Sequence, residues 1–377
     1  MVTRRQRLVF GLLILTACAP TSGVSGQDEW ATDFTKLTVD PDEIVSGGVP
    51  KDGIPAIDDP KFVDVGTANR FLDGNEPVAV VRRNGVAKVY PIQILIWHEI
   101  VNDIVGGEPI SVTYCPLCNT TLAFERRFNG DVLDFGTTGR LRHSDLVMYD
   151  RQSESWWQQA TGEGIVGEHA GKQLTFVSSP VMRWQDVKEQ LPDARVLSRD
   201  TGYPRYRERY GFNPYQGYDT QQGPMSWAFS ADTPPTLPRM ERVVALHEDG
   251  ESWAVPFSEL KETDFAEFRI AGRDIVVFFT PETVSSVDAQ RIMNSREVGS
   301  TAVYSRIAAG RTLSFDPAEE DGEFRDRETG SLWNFSGVAV DGPLAGTSLD
   351  EVPHGNHFWF AWAVFRPETR VWERPSG

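Results

Sequence analysis

The sequence predicts a mainly β protein with a few short helices, built as two tandem copies of one β-rich unit packed as a pseudo-symmetric pair. Three observations carry this expectation. Asn84-Gly85 and Asp249-Gly250 each separate two runs rich in β-branched residues, which is the pattern of a tight hairpin. The two hairpins, "VAVVRRNGVAKVYPIQIL" from Val78 and "VVALHEDGESWAVPFSEL" from Val243, overlay at an offset of 165 residues. Further on, Gly171, Trp184, Pro192 and Arg195 overlay Gly346, Trp359, Pro367 and Arg370 at an offset of 175.

In chain order, residues 1–17 read as a lipoprotein signal peptide. Arg4, Arg5 and Arg7 form a basic head, and Leu8 to Leu15 form an apolar run too short to span a bilayer. Leu15-Thr16-Ala17-Cys18 resembles a lipoprotein cleavage box, which implies lipidation of Cys18. An ordinary signal peptide with an incidental cysteine is the plainer alternative. Residues 18–70 read as a tether and N-terminal extension, and 71–200 as the first repeat. Within it a hairpin leads to a short helix in "IQILIWHEIVNDI", a buried strand in "ISVTYC", short strands in "VLDFGTT" and "DLVMYD", and a helix in "VMRWQDVKEQL". Residues 201–236 are rich in Tyr, Pro and Gly and too aromatic for a free linker, so they read as an ordered connector packed across both copies. Residues 237–377 form the second repeat.

The formal charge is −17, and −20 once Arg4, Arg5 and Arg7 are removed with the leader, which argues against nucleic acid as a partner. The expected location is extracytoplasmic, on a membrane surface held through the lipid on Cys18. A redox or metal-delivery protein is the expected macromolecular partner.

With Cys18 assigned to the lipid, two of the three cysteines remain, Cys115 and Cys118 in "VTYCPLCNTT". They overlay Thr280 and Thr283, whereas Pro116 overlays Pro281, so the proline belongs to both copies and the thiols to one. Cys-Pro-x-Cys after a strand, with Asn119, Thr120 and Thr121 as caps for a following helix, predicts thiolates stabilised at a helix N-terminus. Such a pair serves thiol–disulfide or electron-transfer chemistry, with Cys115 attacking and Cys118 resolving. It equally serves a copper or zinc site, or a structural disulfide of small entropic value.

His98 in "IWHEIVND" is the preferred third ligand, because its counterpart in the second copy is Thr263. The bland reading is a buried helix histidine with its hydrogen bonds satisfied. Met148 and His143 are weaker candidates, and His354 and His357 have ligand spacing but sit at a Gly-Asn turn. His169 and His247 read as surface loop residues. Tyr114 and Pro116 flank the thiols as supporting residues. Asp150-Arg151 recurs as Asp326-Arg327, so it reads as a fold-holding carboxylate–guanidinium pair or turn cap. Trp156-Trp157 reads as core, with a stacking platform for a sugar or quinone as the alternative. His143-Ser144-Asp145 cannot form a triad by itself, since neighbours on a strand face opposite ways.

The stretches "WHEIVND", "VTYCPLCNTTLAFER", "DFGTTGRLRHSDLVMYDRQSESWWQQ", "GFNPYQGYD" and "FWFAWAVFRPETRVW" resemble, in order, the family called domain of unknown function 3179. The resemblance covers most of the mature chain. It implies an exported, often lipid-anchored protein and no particular activity. His143 stands where that family more often has Asn, which lowers its claim as a ligand. Two functions from different classes follow. One is a thiol redox or soft-metal site at Cys115 and Cys118. The other is a non-catalytic module that binds a glycan, peptide or partner through aromatic faces, with the cysteines pinning a turn.

Overall fold

The computed structural model of the chain describes residues 29–318 and 322–375, so the expected signal peptide and Cys18 lie outside the described residues. The protein is mainly β with few, short helices. The first half holds β1 (Pro77–Arg83), β2 (Val86–Pro91), α1 (Ile92–His98), β3 (Ile100–Val105), β4 (Glu108–Cys115) and β5 (Thr120–Glu125). There follow β6 (Phe135–Arg142), β7 (Asp145–Asp150), β8 (Trp156–Gln158), β9 (Val181–Arg183), α2 (Trp184–Gln190) and β10 (Arg195–Leu197). The second half holds β11 (Arg242–Glu248), β12 (Glu251–Pro256), α3 (Phe257–Thr263), β13 (Phe265–Ile270), β14 (Arg273–Thr280) and β15 (Ser300–Ser305). It closes with β16 (Gly355–Phe358), α4 (Trp359–Ala363) and β17 (Arg370–Val371).

Both hairpin turns have left-handed central residues, Asn84 and Gly85 at φ 50° and 75°, Asp249 and Gly250 at φ 47° and 82°. Only a type I′ turn needs two such residues, and its twist matches that of the flanking strands. Each hairpin then runs through a proline into a short helix, α1 or α3, which packs its apolar side inward.

Two large sheets result. One runs β17-β12-β11-β16-β5-β4-β3 and the other β10-β2-β1-β9-β15-β14-β13. Neither belongs to one half of the chain. The hairpin β11–β12 lies in the sheet of the meander β3–β5, and β1–β2 lies in that of β13–β15. Strand β5 is thereby central, between β4 and β16, and is buried along nearly its whole length. A smaller sheet carries β6, β7 and β8, and its β7 delivers Met148 to the same core as Val112, Tyr114 and Phe124.

At the end of β7, the buried Asp150 carboxylate accepts from Ser153 N (2.7 Å), Ser153 Oγ (2.8 Å) and Trp157 Nε1 (2.9 Å). Asp326 accepts in the same way from Thr329 N (2.6 Å), Thr329 Oγ (2.8 Å) and Trp333 Nε1 (2.9 Å). These aspartates cap turns, while their neighbours pair elsewhere: Arg151 with Asp58 at 2.8 Å, and Arg327 with Asp316 at 2.8 Å. Trp156 and Trp157 are fully buried, which removes them as a platform for a sugar or quinone ring.

Strand β6 bulges between Thr137 and Arg140, and Gly139 at φ 70° makes the bulge. A Cβ there would lie 2.1 Å from the carbonyl oxygen of Val49. Gly139→Ala is therefore expected to destabilise by at least about 2 kcal/mol in urea unfolding, through left-handed strain and the clash together. A change within ~0.5 kcal/mol would refute this reading of the bulge.

Candidate metal centre

The Cys-Pro-Leu-Cys stretch is the turn of a hairpin. Cys115 ends β4 and pairs with Thr120, which begins β5. Between them Cys118 N donates to Cys115 O and Asn119 N to Pro116 O, both at 3.3 Å, and Asn119 reverses the chain at φ 53°. The helix expected after Cys118 does not form. Thr120 and Thr121 are β-branched and enter a central buried strand, so tertiary pairing outweighs their capping preference. No helix dipole therefore acts on the thiols.

Asp145, the first residue of β7, completes the centre. Its carboxylate and the sulfurs of Cys115 and Cys118 lie within 4.8 Å of one another, and all three residues are buried. Among the described residues no other group of three His, Cys, Asp or Glu donors comes this close together. The β6–β7 turn aims Asp145. His143 and Ser144 both adopt left-handed backbone, φ 53° and 68°, without glycine. Ser144 N donates to Ala228 O at 2.8 Å, and His143 Nε2 lies 3.4 Å from the Glu43 carboxylate. Asn is favoured at such a turn position, so a residue's identity at 143 answers to backbone shape.

Asp145 Oδ2 accepts from Gln158 Nε2 (2.6 Å) and Ala160 N (2.9 Å), the buried Oδ1 has no N–H or O–H donor, and the Cys118 thiol hydrogen-bonds to the carboxylate. Cys115 Sγ lies 3.7 Å from Ser144 O. Neither cysteine is in a disulfide. Burial pushes both thiols up, Cys118 well above its ordinary value, and the neighbouring carboxylates add to the effect. Burial also pushes the Asp145 carboxyl up to about 6. Glu99, at the C-terminal end of α1 with φ 59°, is pushed to about 8 by burial and by the Asp145 charge. Glu99 and Cys115 line one cavity of about 110 Å³ with Tyr215, Met225 and Trp227 from the connector.

The other sequence candidates lie elsewhere. His98 is fully buried with Nδ1 2.7 Å from Pro55 O and Nε2 2.7 Å from the Tyr210 hydroxyl, so both ring nitrogens are engaged away from the thiols. It is the satisfied helix histidine of the bland reading. His143 serves the turn, and Met148 sits in the core. His354 and His357 line a separate cavity of about 390 Å³, and His357 Nδ1 is 2.8 Å from Thr120 Oγ. The Tyr114 hydroxyl lies 2.6 Å from Ser286 Oγ, and Tyr218 of the connector donates to Leu117 O at 2.9 Å. Sequence reasoning missed Asp145 and Glu99. Asp145 was visible only as one member of a rejected triad, and a link across 27 residues leaves no periodic trace.

The buried acids predict how the metal-free protein responds to pH. Asp145, Glu99 and Glu76, at about 6, 8 and 7, hold protons in the fold that the unfolded chain has released. Their contribution is present at low pH and lost as pH rises through those values. His98 and His357, lowered to about 4 and 3, contribute stability that is lost as pH falls below the ordinary histidine value. The metal-free protein should thus lose stability as pH rises toward ~8, where Glu99 is the last of the three acids to ionise. Urea midpoints measured in chelator check this. Glu99→Gln should flatten the alkaline decline, and an unchanged decline would show that Glu99 does not cause it.

The chain is thus a mainly β protein with two buried thiols and a buried carboxylate gathered at a hairpin tip. The chain belongs to the family described as protein of unknown function (DUF3179), which it matches over residues 51–369. No curated protein and no solved structure matches it.

Proposed function

We propose that Cys115, Cys118 and Asp145 bind a metal ion, zinc in preference to copper. The observation that carries this reading is the convergence of three buried donors, two thiols and a carboxylate, within 4.8 Å of one another. A cation removes the cause of the raised thiol and carboxyl values, since the deprotonated ligands are then neutralised where they stand. Two thiolates and a carboxylate carry three negative charges, which a divalent ion offsets better than copper(I), and a hard oxygen donor suits zinc better than copper(I). Three protein donors beside a cavity match zinc sites that keep a position for water or substrate. The raised thiols speak against a dithiol exchange site, which needs a thiolate at neutral pH.

The supporting roles are structural. Tyr114 and Pro116 shape the hairpin tip, and Asp150 caps the turn after β7 while Arg151 pairs with Asp58 at the surface. We propose further that the chain is two copies of one unit, a reading supported by the matching strand order of the two large sheets. Export, anchoring through a lipid on Cys18 and exchange with a metal-delivery protein complete the proposal.

The test is metal content by mass spectrometry, with thiol counting, on protein carrying Cys18→Ser. One equivalent of zinc, absent from Cys115→Ser/Cys118→Ser, is the expected result. Metal-free protein with fast-reacting thiols would overturn it in favour of redox chemistry.

A further inference from the structure

Residues 69–76, 199–212 and 291–293 enclose a cavity of about 490 Å³, away from the thiols, whose lining carries Arg70, Arg199, Arg207 and Arg291. The chain has 54 acidic residues against 37 basic ones, so an arginine finds a carboxylate easily. Among the described residues, Arg70, Arg199 and Arg291 nonetheless have no carboxylate within ion-pair distance, and Arg207 reaches only Asp200, at 3.6 Å on open surface. Arg199 is held in place through Nε, which donates to Gln93 Oε1 (3.1 Å), and Nη2, which donates to Gln93 Oε1, Phe71 O (3.1 Å) and Tyr210 O (3.4 Å), leaving Nη1 toward a ligand, and its guanidinium lies 5.1 Å over the Phe71 ring. Arg291 lies 4.5 Å over the Phe212 ring, which fixes the plane and leaves its edge free. The lining also carries Asp73, Glu76 and Glu208, three acids against four arginines; Glu76 is engaged by Asp73 N (3.0 Å) and Gln93 Nε2 (2.7 Å), and burial favours its neutral form.

Four guanidinium groups lining one recess match acid groups held by charge-assisted hydrogen bonds. The space exceeds what one such group fills. We infer that this recess binds a small organic polyanion bearing two or more carboxylate or phosphate groups. Arg199, fixed from behind, orients one group, and Arg70, Arg207 and Arg291 gather the others from the rim.

Titration calorimetry on the whole protein at low salt tests this with pyrophosphate, citrate and acetate as probes. One-to-one binding of pyrophosphate or citrate, with none for acetate, is expected, and the preferred probe identifies phosphate or carboxylate chemistry. Arg70→Glu and Arg291→Glu alter exposed side chains and leave the fold intact. Each should weaken binding about tenfold or more, while Arg127→Glu, outside the recess, leaves it unchanged. No saturable heat, or equal weakening by Arg127→Glu, would overturn the inference.

Discussion

Asp145→Asn is expected to lower zinc affinity by about 100-fold or more, beyond the effect usual for residues that only orient a ligand. The substitution keeps the volume of the side chain and the acceptor that Gln158 and Ala160 use, so the β6–β7 turn should survive. What it removes is the charged oxygen, Oδ1, that no N–H or O–H group of the protein engages. Zinc binding by the native protein releases protons from two thiols and a carboxyl, so affinity should fall steeply as pH falls. In Asp145→Asn one proton fewer is released and the slope is shallower. Thermal stability supplies an independent reading. At free zinc near 100 times Kd, binding adds about 2.7 kcal/mol, and the variant should lose that increment while its metal-free stability holds or rises. Competition titrations against a zinc indicator across pH measure both quantities. Equal affinity in the two proteins would remove Asp145 from the centre.

Asp150→Ala is expected to cost about 3–5 kcal/mol in urea unfolding. The carboxylate is fully buried, and its loss leaves Trp157 Nε1 and Ser153 N without acceptors inside the core. Stranded buried donors cost about 1–3 kcal/mol each, which places this substitution among the rare severe ones. Asp326→Ala should cost a similar amount, because Trp333 and Thr329 make the matching bonds. Asp150→Asn retains one acceptor and should cost less than alanine. The Arg151→Ala change should matter little by comparison, as that side chain pairs at the surface. A loss under ~1 kcal/mol for either aspartate would mean that water replaces the carboxylate.

Much of this was legible along the chain. Hairpins at Asn84-Gly85 and Asp249-Gly250 follow from the two residues that adopt left-handed backbone at least cost, and the structure has both turns. Mainly β architecture follows from short β-branched runs between turn residues. The Cys-x-x-Cys pair announces itself by rarity, since the chain has only three cysteines. Local pattern also misled. Thr120 and Thr121 read as helix caps because capping is a local preference, yet β4 and β16 flank them and pull the chain into a strand. His98 drew interest as a ligand because it lacks a counterpart in the second hairpin unit, and the connector's Tyr210 satisfies it instead.

What lay beyond the reach of sequence was every relation that crosses between distant segments. The meeting of Asp145 with Cys115 and Cys118 depends on β7 beginning beside the end of β4, and on a left-handed His143-Ser144 turn whose Ser144 N donates to Ala228 O. The exchange of hairpins between the two large sheets depends on which edges remain unpaired once each meander has formed. Local preferences act within a few residues and leave a periodic mark, whereas these contacts form only when burial and hydrogen-bond satisfaction are settled for the whole chain at once.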